Sequence, residues 1–169
     1  LPTLGSYVNF KWSIFQGLNE YANSFGQFTG DIALYKNLDG RARFVLADRF
    51  GGGITIGKPA FYQHLYLGGQ GNLLGYRQFR FAGNHSFYNN LEIRAKLGDF
   101  ISYVLPGQVG LIGFYDVGRV WADNEQSDLW HHGVGGGMYF APASMAVFRA
   151  VVGKSNEGWY PYVSMSFRY

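Results

Sequence analysis

Residues 90–97 read NLEIRAKL, and this stretch decides the fold class. Apolar side chains occupy the odd positions and polar side chains the even ones: Leu91, Ile93, Ala95 and Leu97 against Asn90, Glu92, Arg94 and Lys96. A period of two is typical of a β-strand, because neighbouring side chains point to opposite faces of a sheet. Successive polar residues on one face cannot line a dry core, whereas they suit the polar interior of an outer-membrane barrel. The stretch therefore predicts a strand that is apolar outside and polar inside.

Similar patterns predict eight strands in the chain: 3–15, 27–37, 41–56, 84–97, 107–121, 129–140, 145–153 and 159–169. Short connections follow the second, fourth and sixth of these strands, and longer ones follow the first, third and fifth. This asymmetry is typical of a membrane barrel with short periplasmic turns and longer outer loops. The sequence therefore predicts an all-β fold, an eight-stranded antiparallel transmembrane β-barrel that forms a single domain over residues 1–169.

Composition agrees with a membrane barrel and excludes other classes. Aromatic residues make up 19% of the chain, which favours such barrels because they carry aromatic girdles at both interfaces. No apolar run approaches the roughly 18 residues that a transmembrane helix needs. The net charge of +3 is small and the basic residues are scattered, so nucleic acid is not expected as a partner.

One connection differs from the others in length and composition. It covers residues 58–83 and contains LGGQGNLLGYRQFRFAG at 67–83. The segment has too much glycine for a helix and is too long for a hairpin turn. Long ordered loops are usually functional, because something has to offset the entropy lost in ordering them. We expect this loop, between the third and fourth strands, to fold back inside the barrel.

Three stretches of the chain resemble one known family. They are LGGQGNLLGYRQFRF at 67–81, NNLEIRAKL at 89–97, and GLIGFYDVGRVW at 110–121 followed by WHHGVGGGMYF at 130–140. These stretches, and their order along the chain, resemble the motifs of the BamA/TamA-type outer-membrane assembly family, also called the bacterial surface antigen family. The chain resembles only the C-terminal half of that family's barrel.

The resemblance implies a role in inserting or assembling outer-membrane proteins in the outer membrane of a Gram-negative bacterium. The expected partners are outer-membrane lipid, lipopolysaccharide and other outer-membrane proteins, and the oligomeric state is left open. An alternative function is a small structural or interaction barrel without translocation activity. The two differ in whether the junction between the first and last strands opens as a lateral gate.

The resemblance also implies a set of loop residues: Gly68, Gly69, Gly75, Tyr76, Arg77 and Arg80. In the family the loop carries an Arg-Gly-aromatic element whose Arg meets acidic residues on the two following strands. Leu74 stands at the Arg position here, so Arg77, or failing that Arg80, is expected to replace it. The candidates for ion pairs in the barrel interior are Glu92, Arg94 and Asp116. We expect Arg77 to pair with Asp116, and Tyr76 to lie against the glycine-rich strand at 129–140.

The last strand carries two further signals. Pro161 removes one ladder donor, which could weaken the junction with the first strand. Phe167 and Tyr169 share the lipid-facing positions, and a chain that stops on an aromatic residue resembles the terminal signal of bacterial outer-membrane proteins.

The sequence patterns that could indicate an enzyme each lack a residue that the chemistry needs. GGITIGK at 52–58 matches part of a phosphate-binding loop, but Pro59 stands where Ser or Thr should bind Mg²⁺. His131 and His132 are neighbours on a strand and point to opposite faces, so they cannot chelate one metal. Glu92 and Asp116 are better explained as interior acids that neutralise cations than as a hydrolytic pair, and no G-x-S-x-G elbow is present. We expect no enzyme activity, no metal and no cofactor.

Overall fold

A computed structural model describes residues 2–18, 23–100, 106–122, 129–142 and 146–167, and the side chain of Phe167 is outside this description. The strands are β1 Gly5–Phe15, β2 Phe25–Asn37, β3 Phe44–Gly57, β4 Leu65–Leu67, β5 Phe81–Gly83, β6 His85–Phe100, β7 Gly107–Trp121, β8 His131–Pro142, β9 Ala146–Ser155 and β10 Gly158–Phe167. One short 3₁₀ turn, Phe61–Gln63, precedes β4. In the described part of the chain, no helix has the length and apolar character needed to cross a membrane.

Eight strands form one antiparallel sheet in the order β1-β2-β3-β6-β7-β8-β9-β10, and β4 and β5 form a separate two-stranded sheet. The predicted all-β class and antiparallel order are confirmed, and β7 has the predicted bounds. The short strands β4 and β5 lie within the 58–83 connection and were not predicted from the sequence.

The prediction of a closed barrel is not confirmed. Within the described residues β1 pairs only with β2 and β10 only with β9, so both outer edges of the sheet are unpaired. A closed eight-stranded barrel has room inside for little more than its own side chains. Here the 58–83 connection also lies against one face of the sheet and contacts strands from β3 to β10.

The face that contacts the loop is called the inner face, and the opposite one the outer face. The strand register shows which residues share a face. Glu92 lies opposite Ala47 and Phe114 on the inner face, and Leu91 lies opposite Tyr115 on the outer face. The outer face exposes large apolar side chains on every strand of the main sheet, among them Phe10, Trp12, Ile14, Phe28, Ile54, Ile93, Leu111, Met138, Val152 and Val163. The alternation at 90–97 thus separates the two faces as predicted.

The inner face carries two groups of buried residues. One lies on β7, β8 and β9 and includes Ile112, Phe114, Tyr139, Ala141, Val147 and Val151. The other joins the loop to β6 through Leu67, Leu73, Tyr76 and Tyr88. The second group shows that the loop is packed onto the sheet.

Candidate functional site

The candidate site is the loop between β4 and β5 together with the inner wall that holds it. The loop reverses at a tight turn in which the N–H groups of Gly69 and Leu73 each donate to the other residue's carbonyl, at 2.9 and 3.2 Å. The Asn72 side chain fixes this turn, since its Oδ1 accepts from the Gly68 N–H and its Nδ2 donates to the Tyr66 carbonyl, both at 2.9 Å. Gly68 and Gly69 have φ values of 122° and 78°, which disfavour any residue with a side chain.

Apolar packing holds the loop inside. Leu67 and Leu73 are fully buried and Tyr76 is 1% exposed. Side chains buried to this degree order the backbone that carries them, because exposing them again would return apolar surface to water. The prediction that the loop folds against the interior is therefore supported by the packing.

Asp116 anchors the loop through a backbone donor. It is buried at 2% exposure on the inner face of β7, and its Oδ2 accepts from the Leu74 N–H at 2.8 Å. The Asn90 side chain also bonds to this carboxylate and donates to the Asn72 carbonyl at 2.8 Å. Burying an acid destabilises the fold unless hydrogen-bond donors surround it. Here the donors are neutral, the Leu74 N–H and the Asn90 side chain.

The predicted pair between Arg77 and Asp116 is wrong. Arg77 is exposed, and the chain turns at Gly75, with φ of 95°, before it reaches Arg77. Leu74 is the residue that passes next to β7, so its own N–H takes the position where a side-chain cation was expected. Arg80 does not replace the cation either, because it pairs with Glu157 on the turn after β9 at 2.8 Å.

Tyr162 on β10 is an anchor that the sequence patterns did not single out. Its hydroxyl accepts from the Gly75 N–H at 2.9 Å and donates to the Tyr76 carbonyl at 2.6 Å. The sequence contained one signal for it: Tyr162 has the inner-face parity of the last strand, where an aromatic hydroxyl needs a polar partner.

Tyr76 lies against the glycine-rich strand β8, as predicted, and binds the loop to it. Its hydroxyl lies 3.2 Å from the His132 carbonyl and 2.9 Å from Asn156 Oδ1, so its single proton can be donated to either acceptor. Burial raises the pKa of the Tyr76 hydroxyl, so the group stays protonated and remains a donor. The ring packs edge-on against Phe81 and His131, with centroids 5.1 and 5.8 Å away.

Glycines in β8 and β9 let the loop backbone approach this closely. A Cβ atom at Gly133 would overlap the Leu74 carbonyl oxygen, and one at Gly153 would lie 2.7 Å from the Gly75 nitrogen. Glycine in a strand often marks a close approach of another backbone, and at Gly133 the neighbouring backbone is that of Leu74.

A charged cluster lies beside the loop on the inner face. Glu92 accepts hydrogen bonds from Arg94 and from Arg149, so two of the three candidates for interior ion pairs, Glu92 and Arg94, pair with each other. Arg49 donates to the Gly71 carbonyl at 3.1 Å and to the Tyr88 hydroxyl at 3.0 Å. Arg49, Glu92, Arg94 and Arg149 line a cavity of about 220 Å³ together with Asp116 and Gly71. The cluster contacts the loop where Arg49 donates to the Gly71 carbonyl.

The remaining predicted positions lie at the chain's last strand or outside the described residues. Pro161 is exposed on β10, opposite Val152. Phe167 ends β10, and its side chain is outside the description, as is the whole of Tyr169. In the part of the chain that is described, no group of three His, Cys, Asp or Glu side chains is placed to hold a metal ion.

Two comparisons with known proteins bear on this architecture. A comparison with curated proteins gave no match. A family model described as the Omp85 superfamily domain matches residues 1–156, which include the loop, the glycine-rich wall and every strand as far as β9. Members of this superfamily are outer-membrane proteins, and the resemblance to the BamA/TamA type is consistent with the match. The chain belongs to the Omp85 superfamily.

Proposed function

We propose that the chain forms part of an outer-membrane barrel that inserts or assembles other outer-membrane proteins. The observation that carries this proposal is the match of residues 1–156 to the Omp85 superfamily domain, in a chain whose sheet has an apolar outer face.

The outer face supports a location in the membrane. On β1, Phe10, Trp12 and Ile14 are 60%, 72% and 75% exposed on the same face. Soluble proteins rarely expose apolar patches beyond a few hundred Å², whereas a barrel wall in lipid requires them. We place the protein in the outer membrane of a Gram-negative bacterium, in contact with lipid and lipopolysaccharide, and we propose no catalytic role.

The loop supports the same function by stabilising the wall. Leu74 and Gly75 are bonded to Asp116 on β7 and Tyr162 on β10, so one short segment connects distant strands of the sheet. These contacts hold the loop against the sheet and connect β7 with β10.

An insertion assay tests the proposal. The chain is reconstituted into liposomes, and the rate at which an unfolded outer-membrane barrel protein folds into them is followed by heat-modifiable gel migration. We expect faster folding than in empty liposomes and in liposomes with an unrelated small barrel at the same protein-to-lipid ratio. Equal rates in all three, with the chain itself folded, would reject the proposal.

That outcome would favour the second candidate, a structural or interaction barrel without translocation activity. The observation in its favour is that the loop packs against the inner face of the sheet, where Leu73 and Tyr76 are buried. A loop packed there occupies space that a translocating chain would need.

A further inference from the structure

The strands β8 and β9 separate at the end of the sheet that carries the long loops. Their pairing stops at Val134 and Lys154, although β8 begins three residues before Val134. The Tyr76 hydroxyl lies in the gap, between the His132 carbonyl and Asn156 Oδ1. A pocket of about 370 Å³ opens there and is lined by these five residues and by Trp130. We call it the rim pocket.

The rim pocket opens on the outer face of the sheet. Val134 lies opposite Tyr115, which shares the outer face with Leu91. Four large aromatic side chains lie on this face at the same end of the sheet: Phe87, Trp121, Trp130 and Trp159. An aromatic belt at one end of a barrel wall marks the level of the lipid headgroups. The pocket therefore lies where headgroups reach the protein.

Two cations stand in this aromatic belt. The Lys154 ammonium lies 5.2 Å from the centroid of the Trp159 ring. The Arg119 guanidinium lies 5.9 Å from the centroid of Trp130, which lines the pocket. Aromatic faces attract cations and so hold them at this level. Glu157 lies on the adjoining turn, but it pairs with an arginine of the loop at 2.8 Å. Positive charge therefore faces the pocket from two sides.

We propose that the rim pocket binds a phosphorylated glucosamine lipid, the headgroup chemistry of lipopolysaccharide. A positive surface at headgroup level complements an anionic lipid. Lys154 serves the phosphate, because an ammonium is a compact cation with three donors. Asn156 uses its Oδ1 to bind Tyr76, so its Nδ2 is left to donate to a sugar hydroxyl.

The size and surroundings of the pocket agree with this ligand. Its volume of about 370 Å³ is within the roughly 300–1,000 Å³ of small-ligand sites. The indole of Trp130 offers an apolar surface to one side of the sugar ring. Below the pocket, Val134 and Met138 are exposed on the outer face, where acyl chains would lie. Access of the lipid to the pocket rests on the proposed location in the outer membrane.

A lipid titration tests the rim pocket. The whole chain, folded in detergent micelles, is titrated with bisphosphorylated lipid A, and native mass spectrometry gives the fraction with one lipid bound. Phosphatidylglycerol, which has the phosphate but no sugar, is the second ligand, and inorganic phosphate is the competitor. We expect lipid A to bind more tightly than phosphatidylglycerol, and inorganic phosphate at equal concentration to leave it bound.

Two substitutions at Lys154 test the charge. Lys154→Gln should weaken lipid A binding about fivefold, the factor that about 1 kcal/mol for one lysine at a membrane surface gives. Lys154→Arg keeps the charge and should bind close to the parent level. Lys36→Gln is the matched control, because Lys36 is also exposed on the outer face but lies at the other end of the sheet, opposite Leu46. It should bind as the parent does.

A second pair of variants tests the pocket itself and leaves every charge in place. Val134→Phe should weaken lipid A binding, because the larger side chain takes up pocket volume. Met138→Phe is its control, since Met138 is exposed on the same strand and the same face but does not line the pocket. Heat-modifiable migration identifies the folded variants, and Val134→Phe decides if Lys154→Gln does not fold.

Three results would each overturn the proposal. They are equal lipid A binding by Lys154→Gln and Lys36→Gln, equal affinity of the parent for lipid A and phosphatidylglycerol, and displacement of lipid A by inorganic phosphate. The titration is done in detergent without a client protein. Its failure therefore leaves the insertion assay to decide the proposed function by itself.

Discussion

The backbone N–H of Leu74 donates to Oδ2 of Asp116 at 2.8 Å, so a main-chain donor occupies the position expected for an arginine. This replacement of a cationic side chain by a backbone N–H changes the charge next to Asp116. A cation at this point would neutralise the acid, whereas the N–H group and the Asn90 side chain only solvate it. The charges of the interior are instead balanced nearby, where Glu92 lies between Arg94 and Arg149.

Asp116→Ala is expected to destabilise the protein by about 1–3 kcal/mol, because it leaves the buried Leu74 N–H without an acceptor. The shift is measured as the loss of heat-modifiable migration with temperature in detergent. Asp99→Ala serves as the control, since the Asp99 side chain is 56% exposed and its ion pair among the described residues is with Lys96, near the end of β6. Equal stability of the two variants would show that the Leu74 contact does not anchor the loop.

Arg77→Ala is expected to change stability by less than about 0.5 kcal/mol, because Arg77 is an exposed side chain away from the buried anchors. Arg80→Ala should cost no more than about 1 kcal/mol, the usual worth of a solvent-exposed ion pair such as the one with Glu157. Both are measured by urea unfolding in detergent. A loss at Arg77 as large as that of Asp116→Ala would restore Arg77 as the loop's anchor.

The fold and the site were predictable from the sequence to different degrees. Alternation such as that at 90–97 identified the strands and their faces, because side-chain parity is a local property. The small sheet of β4 and β5 was missed, since strands of three residues are too short to show a period. The unpaired edges also could not be predicted, because closure depends on pairing between strands at opposite ends of the chain.

The contacts of the site were also predictable from the sequence only in part. Tyr76 was expected to lie against the glycine-rich strand, because glycines in a strand and an aromatic residue in a loop are visible in the sequence. The contact between Leu74 and Asp116 could not be predicted. Every residue except proline has a backbone N–H, and the pattern of side chains does not show which N–H binds the carboxylate.

Gly133→Ala is expected to push the loop off the wall, because its Cβ would overlap the Leu74 carbonyl oxygen. The displaced loop should be cut by trypsin at Arg77 or Arg80 faster than in the parent protein. Gly113→Ala is the matched control, since a Cβ there meets only Ile93 Cγ2 at 3.4 Å, an ordinary contact. Equal cleavage of the two variants would mean that the close approach at Gly133 does not limit the loop.

Ile93→Arg tests whether the outer face contacts lipid. An arginine at the bilayer midplane on a barrel's lipid face costs about 2–4 kcal/mol. The variant should therefore lose stability in lipid vesicles, as measured by urea titration of tryptophan fluorescence. Gln78→Arg places the same charge in the exposed loop and should be neutral. An Ile93→Arg protein as stable as this control in vesicles would argue against a lipid-facing outer surface.

Tyr162→Phe is expected to cost about 1–3 kcal/mol, because the lost hydroxyl leaves the Gly75 N–H and the Tyr76 carbonyl without their partner. The control is Tyr160→Phe on the same strand, since Tyr160 makes no hydrogen bond within the described residues. Thermal loss of heat-modifiable migration gives both values.

The double variant with Asp116→Ala shows whether the two anchors act on one unit. Leu74 and Gly75 are consecutive, so freeing one of their N–H groups lets the turn move away from the wall and weakens the other contact. The combined loss should then be smaller than the sum of the single losses by about 0.5–3 kcal/mol, the coupling typical of residues that share a structural unit. Additive losses would mean that β7 and β10 each hold the loop independently, and that the loop does not connect these strands as a brace.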